Sequence, residues 1–383
     1  MDVLASPIES SRPRLHAAAS PAARTLALGV IGPGRVGGAL LDQLRAARTR
    51  LTAQLGLALE LRGVATRHRM WLDCDDPQLN GRDGAQTWRP SELDAFAAHV
   101  RGLDAAAVLV DCSASEVVAD RYAGWLAAGL HVVTPNKLAG SGALARWQAI
   151  RAAVVAGPAR WRYEATVCAG LPVIQTLRDL LDTGDTLHAI DGMFSGTLAW
   201  LCNRHDGAQP FSALLREAHA QGYTEPDPRE DLSGTDVARK LVILAREAGW
   251  PLSLEDVEVE SLVPPALAAL SAEAFLERLG RDELTELDKP LAERLARTRA
   301  TGCVLRHVAS LDAHGRARVR LEALPAQHAF AHTRLTDNIV QLRTARYCDN
   351  PLIVQGPGAG PQVTAAGVFA DVLRIAEAQG ARA

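Results

Sequence analysis

The sequence predicts an α/β protein built on a doubly wound parallel sheet, followed by an α+β region. Three observations carry this. From 26 to 155 short apolar runs alternate with amphipathic stretches, the rhythm of βαβ units. A glycine turn, Gly32-Pro33-Gly34-Arg35-Val36-Gly37, separates the first apolar run from the first amphipathic one. After Gly157-Pro158 the alternation stops and long helical segments take over, with strand-like runs returning only beyond 300.

Taken in order, the elements are a strand over 26–31, a helix over 36–50, a second strand over 57–65 and a third over 105–111. A helix over 116–128, a short strand over 130–133 and a helix over 142–155 complete a mostly parallel sheet with helices on both faces. Pro-rich interruptions at 225–228 and 263–265 punctuate the helical region. Strands are expected over 303–310, 318–324, 339–343 and 352–355, and one last helix over 363–378. Residues 1–24, rich in Ser, Pro, Ala and Arg without an apolar signal core, are expected to be a disordered tail.

Lys+Arg 41 against Asp+Glu 44 gives a net charge of −3, and no basic block is present, so neither nucleic acid nor an anionic membrane is an expected partner. No apolar run reaches the roughly 18 residues that cross a bilayer. The six cysteines show no CxxC or Cys–His zinc spacing and are too sparse for a disulfide scaffold. They read as reduced, buried residues of a cytoplasmic protein.

The glycine turn fits G-x-G-x-x-G. Composition alone yields roughly 0.2 chance matches in such a chain, so the weight lies in its context: it follows an apolar strand and opens a helix, where backbone N–H groups can approach a pyrophosphate. Gly32, Gly34, Arg35, Val36 and Gly37 are therefore candidate dinucleotide-binding residues in a Rossmann-type domain. The second strand ends in Ala65-Thr66-Arg67-His68-Arg69, with no acidic residue for the ribose hydroxyl of NAD. Arg67 and Arg69 suit a 2′-phosphate, so NADP is expected over NAD, although the pair also reads as a solvated loop. In Thr134-Pro135-Asn136-Lys137, Lys137 follows a strand at the edge of the sheet where ligands bind. The segment 222–240 gathers Glu225, Asp227, Glu230, Asp231 and Asp236 just ahead of an apolar helix, with Asp236 and Lys240 at i and i+4. An acidic capping loop with a routine surface ion pair would look the same.

This segment resembles the signature of the homoserine dehydrogenases. So do 134–137, Gly192-Met193-Phe194-Ser195-Gly196-Thr197-Leu198, Glu164-Ala165-Thr166-Val167-Cys168-Ala169-Gly170-Leu171-Pro172, and the closing Gly356-x-Gly358-x-Gly360 with Val363-Thr364-Ala365-Ala366-Gly367. The five motifs stand in the family's order, and the resemblance covers roughly residues 26–380. The pattern is most like the dehydrogenase part of the bifunctional aspartokinase–homoserine dehydrogenases, without a kinase region ahead of it or room for a C-terminal regulatory domain, so feedback control by threonine through such a domain is not expected.

The resemblance implies a nucleotide-binding domain over 25–157 completed by 356–383, and a substrate-binding and dimerisation domain over 158–355. It implies reduction of L-aspartate 4-semialdehyde to L-homoserine with NAD(P)H, in a homodimer. Lys240 matches the family's acid/base lysine, Lys137 stands near nicotinamide and substrate, and Asp236 would orient the Lys240 ammonium or relay its proton. Glu225, helped by Asp231, would pair with the substrate's α-ammonium, while Gly196, Thr197 and Tyr223 line its pocket. Ser113 and Gly360 would touch the cofactor from opposite sides. Main-chain carbonyls of Glu164, Val167, Ala169 and Leu171 would hold a monovalent cation, sodium or potassium. Two other readings start from the same features: an aspartate-semialdehyde dehydrogenase, which needs a nucleophilic thiolate and offers only Cys168, and an inactive NADP-binding sensor, which would be expected to lose Lys240, Asp236 or Glu225.

Overall fold

The structure, a computed structural model, describes residues 24–72, 88–102, 105–281 and 284–380. All but the last residue of the expected N-terminal tail lies outside this set, as does Cys74. Among the described residues no helix is long and apolar enough to cross a membrane.

Two sheets organise the chain. The first runs in the order β4-β3-β2-β1-β5-β6-β7. Its strands are β1 (Arg24–Ile31), β2 (Leu57–Ala65), β3 (Arg69–Trp71), β4 (Arg89–Pro90), β5 (Ala106–Asp111), β6 (His131–Val133) and β7 (Trp161–Arg162). β2, β1, β5, β6 and β7 are parallel, and β3 and β4 add an antiparallel margin. β1 is buried on both faces, as its unbroken apolar run requires. Because β2 and β5 lie on opposite sides of β1, the connections part company there and leave a crevice at the strands' C-terminal ends.

One face of this sheet is covered by the helix Arg35–Leu55 and by the last helix, Pro361–Gly380. Leu26, Leu28, Leu40, Leu44, Val368 and Val372 meet in their shared core. The chain thus returns to its first sheet after building the second.

The second sheet, in the order β13-β12-β8-β10-β11-β9, contains β8 (Leu187–Met193), β9 (Val257–Val259), β10 (Cys303–Asp312), β11 (Ala317–Pro325), β12 (Asp337–Thr344) and β13 (Leu352–Pro357). All pairings are antiparallel except that of β9 with β11. The helix Thr235–Glu247 packs against it, and its Leu241, Val242 and Leu244 are fully buried. Truncating one of these leucines to alanine would cost about 2–5 kcal/mol. The helix turns its Asp236 and Lys240 toward the cleft.

Three expectations need correction. The helix over 116–128 is two short helices, Glu116–Ala119 and Tyr122–Ala127, parted by a tighter turn in which the Arg121 N–H bonds to the Val118 carbonyl at 3.0 Å. The helix over 142–155 is preceded by a separate one, Lys137–Ser141, that stops at Gly142, where a Cβ would come within 2.5 Å of the Leu138 carbonyl. The cysteines are not uniformly buried: Cys168 and Cys202 are, Cys112 and Cys303 are partly exposed and Cys348 is exposed.

Candidate active site

The glycine turn lies at the crevice and its geometry explains its residues. Gly32 adopts φ 81, and a Cβ there would meet the Ser113 backbone nitrogen at 2.9 Å, so the turns after β1 and β5 touch. At Gly37 a Cβ would lie 2.3 Å from the Gly32 carbonyl, so the helix Arg35–Leu55 starts hard against the strand end. Gly34, at the N-cap, faces open space with nothing within 4 Å of a Cβ. A narrow turn, a helix N-terminus and open room above it fit a pyrophosphate.

Arg67 is exposed on the loop after β2. Thr66 closes that loop, its hydroxyl accepting the Arg69 N–H at 3.0 Å, and the Arg69 guanidinium stacks over Trp88 at 5.3 Å. Both arginines are exposed, and Arg69 is in addition engaged with an aromatic ring.

At the edge of the same crevice Lys137 opens its short helix. Its Nζ donates to Asp236 Oδ1 at 2.7 Å, while Lys240 Nζ lies 2.8 Å from Asp236 Oδ2, one carboxylate bridging two ammoniums. Lys240 also donates to the Phe194 carbonyl at 2.7 Å. Desolvation works to raise the Asp236 pKa, but Lys240 and Lys137 overcome it and hold the carboxyl well below the usual carboxylate range. For Lys240 burial favours loss of the proton, yet Asp236 outweighs it and the ammonium pKa moves up.

Beside this pair stands a second acidic group. Asp231 accepts the Glu225 backbone N–H through Oδ2 at 2.8 Å, and its Oδ1 lies 2.9 Å from the Thr197 hydroxyl, which is also 2.6 Å from the Tyr223 carbonyl. Burial lifts the Asp231 pKa to about 6, against the pull of these hydrogen bonds and with help from the neighbouring Glu225 and Asp236 charges. Glu225 itself is exposed. Gly196 opens the helix Gly196–Arg204, capped by the Ser195 side chain, and a Cβ there would approach the Thr336 carbonyl at 3.1 Å. The Phe194-to-Thr197 turn thus connects the Lys240 ammonium to the Asp231 carboxylate.

The closing glycine loop folds over Asn338: a Cβ at Gly358 would fall 1.9 Å from its Oδ1, while its Nδ2 donates to the Met193 carbonyl at 2.7 Å. Gly360 ends this loop with φ 111. The 164–171 segment docks on the last helix through the Glu164 N–H to Asp371 at 2.9 Å. The Glu164 carboxylate is occupied in capping the helix Val173–Asp182, accepting from Ile174 and Gln175 N–H at 2.7 and 2.9 Å. Two successive non-glycine residues, Cys168 (φ 56) and Ala169 (φ 52), take left-handed backbone here, and the Cys168 carbonyl accepts the Leu171 N–H at 3.1 Å. The Glu164 and Leu171 carbonyls each already accept one backbone N–H, from Val167 and Val173.

Cys168 is fully buried and its thiol is pushed up to about 12 by that burial, which removes the thiolate an aspartate-semialdehyde dehydrogenase would need. Sequence reasoning missed the Phe194 carbonyl and the Lys137–Asp236 contact. A backbone acceptor leaves no mark in a sequence, and the two side chains of that contact are 99 positions apart.

Comparison with known proteins places the chain in a family. The family profile described as homoserine dehydrogenase matches residues 172–373, and that described as the homoserine dehydrogenase NAD-binding domain matches 32–164. The chain is 44% identical to a maize chloroplastic bifunctional aspartokinase/homoserine dehydrogenase over 365 residues, covering 93% of this chain and 39% of that protein. It spans well under half the length of such bifunctional relatives. It is 40% identical to a homoserine dehydrogenase of Emericella nidulans, covering 91% of this chain and 98% of the relative. A Candida auris protein of unknown function superposes with a TM-score of 0.82 at 34% identity, over 92% of this chain and 98% of that one. A hyperthermophilic archaeal homoserine dehydrogenase solved with NADPH shares the fold, with a TM-score of 0.69 at 21% identity over 92% of this chain and 98% of that one. With two profiles covering most of the chain and a full-length fungal relative at this identity, the chain belongs to the homoserine dehydrogenase family.

Proposed function

We propose that this chain reduces L-aspartate 4-semialdehyde to L-homoserine with NADPH. The observation that carries the reading is the Asp236 carboxylate bridging Lys137 and Lys240 at 2.7 and 2.8 Å beside the cleft. NADPH, when bound, supplies the hydride that adds to the aldehyde carbon. Gly32, Gly34, Arg35, Val36 and Gly37 would hold its pyrophosphate, Ser113 and Gly360 would flank it, and the exposed Arg67 would grip the 2′-phosphate. NAD lacks that phosphate and is the weaker partner on this reading.

Lys240 stays protonated because Asp236 raises its affinity for the proton, so it meets the carbonyl oxygen as an ammonium, steadies the negative charge that develops there and gives up one proton to form the hydroxyl. Asp236 acts by orienting the two ammoniums. Its strongly depressed pKa speaks against a relay role, since a carboxylate held ionised is a poor resting place for a proton. Lys137 adds positive charge at the cofactor edge. Glu225 and Asp231 bind the substrate's α-ammonium, and Gly196, Thr197 and Tyr223 shape the pocket around its carbon chain.

The carbonyls of Glu164, Val167, Ala169 and Leu171 are the proposed ligands of a sodium or potassium ion, supported by the paired left-handed residues that turn this loop. On the same reading residues 25–157, completed by 356–383, bind the nucleotide in a cytoplasmic enzyme. The region 158–355 binds the substrate and carries the contact of a homodimer. The test is direct: incubating the protein with aspartate 4-semialdehyde and NADPH should consume both and form homoserine in equal amounts. Absence of turnover with both NADPH and NADH would reject the reading.

A further inference from the structure

Lys137 reaches Asp236 because its short helix is held in place, and the structure shows what holds it. At the end of β5, Asp111 is completely buried. Its Oδ1 accepts the Ser113 N–H at 2.8 Å, and its Oδ2 accepts the Tyr122 hydroxyl at 2.5 Å and the Asn136 side-chain amide at 3.0 Å. Asn136 in turn caps the helix Lys137–Ser141, its Oδ1 accepting the Leu138 N–H at 3.0 Å. Thr134 closes the ring, donating to the Asp111 carbonyl at 2.7 Å and accepting the Asn136 N–H at 2.8 Å.

The far end of the helix is gripped as well. Arg246, 2% exposed, donates through Nη1 to the Gly140 carbonyl at 2.7 Å and through Nε to the Leu252 carbonyl at 2.7 Å. It belongs to the helix that also bears Asp236 and Lys240. Ile243 of that helix packs on Gly140, where a Cβ would come within 3.0 Å of it.

A cap needs no buried carboxylate, and burying one without a cation is costly. This one gathers donors from three segments that must be placed relative to one another: the turn at Ser113, the helix Tyr122–Ala127 and the cap of the Lys137 helix. We infer that Asp111 is a positioning residue that sets the Lys137 ammonium against Asp236 and ties its placement to the Ser113 turn. The inference rests on the role given to Lys137 above.

A double-mutant cycle distinguishes positioning from plain structural support. Asp111→Asn keeps the size of the side chain but replaces one acceptor oxygen by a donor facing other donors. At saturating NADPH and aspartate 4-semialdehyde it should lower kcat by about tenfold or more. In a Lys137→Ala background it should lower kcat by less than about twofold, because nothing is left to position. Equal losses in both backgrounds, or no loss from Asp111→Asn alone, would overturn the inference. Normal kcat in Lys137→Ala alone would overturn the reading of Lys137 and this inference with it, whereas multiplicative losses would overturn only the latter. Should Asp111→Asn not fold, Tyr122→Phe and Asn136→Ala run through the same cycle with the same two outcomes.

Discussion

Asp236 holds Lys137 at 2.7 Å across 99 positions of sequence, joining the helix at the edge of the nucleotide crevice to the helix that bears Lys240. The contact makes the proposed site a property of the assembled chain: neither helix has a complete set of charges alone.

Asp236→Asn tests that contact. It removes the charge that aligns both ammoniums and raises the affinity of Lys240 for its proton. The expected result is a fall in kcat on the order of 10²-fold with the KM for NADPH nearly unchanged. Steady-state kinetics that show a raised NADPH KM and an intact kcat would place Asp236 in cofactor binding instead.

The pH dependence of substrate binding should report Asp231. Its pKa is lifted to about 6, so it is ionised above that pH and neutral below it. A neutral Asp231 attracts an α-ammonium less, and therefore the KM for homoserine should rise as pH falls through about 6, with a slope approaching one log unit per pH unit. Asp231→Asn should show a high KM that lacks this inflection. A wild-type KM that is flat between pH 5 and 8 would separate Asp231 from the amino group.

For cofactor choice, Arg67 and Arg69 should behave differently. Both side chains are exposed, but the guanidinium of Arg69 stacks on Trp88. Arg67→Ala should raise the KM for NADPH by about tenfold and leave that for NADH unchanged, because only NADPH has the 2′-phosphate. Equal effects on both cofactors would contradict the assignment.

Gly37→Ala places a methyl carbon 2.3 Å from the Gly32 carbonyl, so the turn must open. The variant should lose NADPH affinity by about tenfold or more while keeping the second sheet folded. Direct titration of NADPH fluorescence measures the loss, and unchanged affinity would show that the turn is not a pyrophosphate cradle.

What the sequence disclosed and what it withheld divide along chain distance. The glycine turn, the Thr134-to-Lys137 turn and the Asp236–Lys240 pair are local, set by helix periodicity and turn chemistry, and the structure places them as those rules require. The Lys137–Asp236 contact and the grip of Arg246 on Gly140 join segments about 100 positions apart, and the Asp111 network joins turns that follow different strands of the first sheet, which no local pattern encodes. Strand β8 was not anticipated either: Gly192 lies in its run, and it becomes central only by pairing with β10 and β12.

The most direct test of the account is the turnover of Lys240→Ala with aspartate 4-semialdehyde and NADPH, measured beside its affinity for NADPH. Loss of the proton donor should lower kcat by about 10²–10⁴-fold. NADPH binding should stay within about twofold of wild type, since Lys240 bonds to Asp236 and Phe194 rather than to the glycine turn. A variant that keeps more than about half of the wild-type turnover, against the loss expected of an absent general acid, would contradict the account.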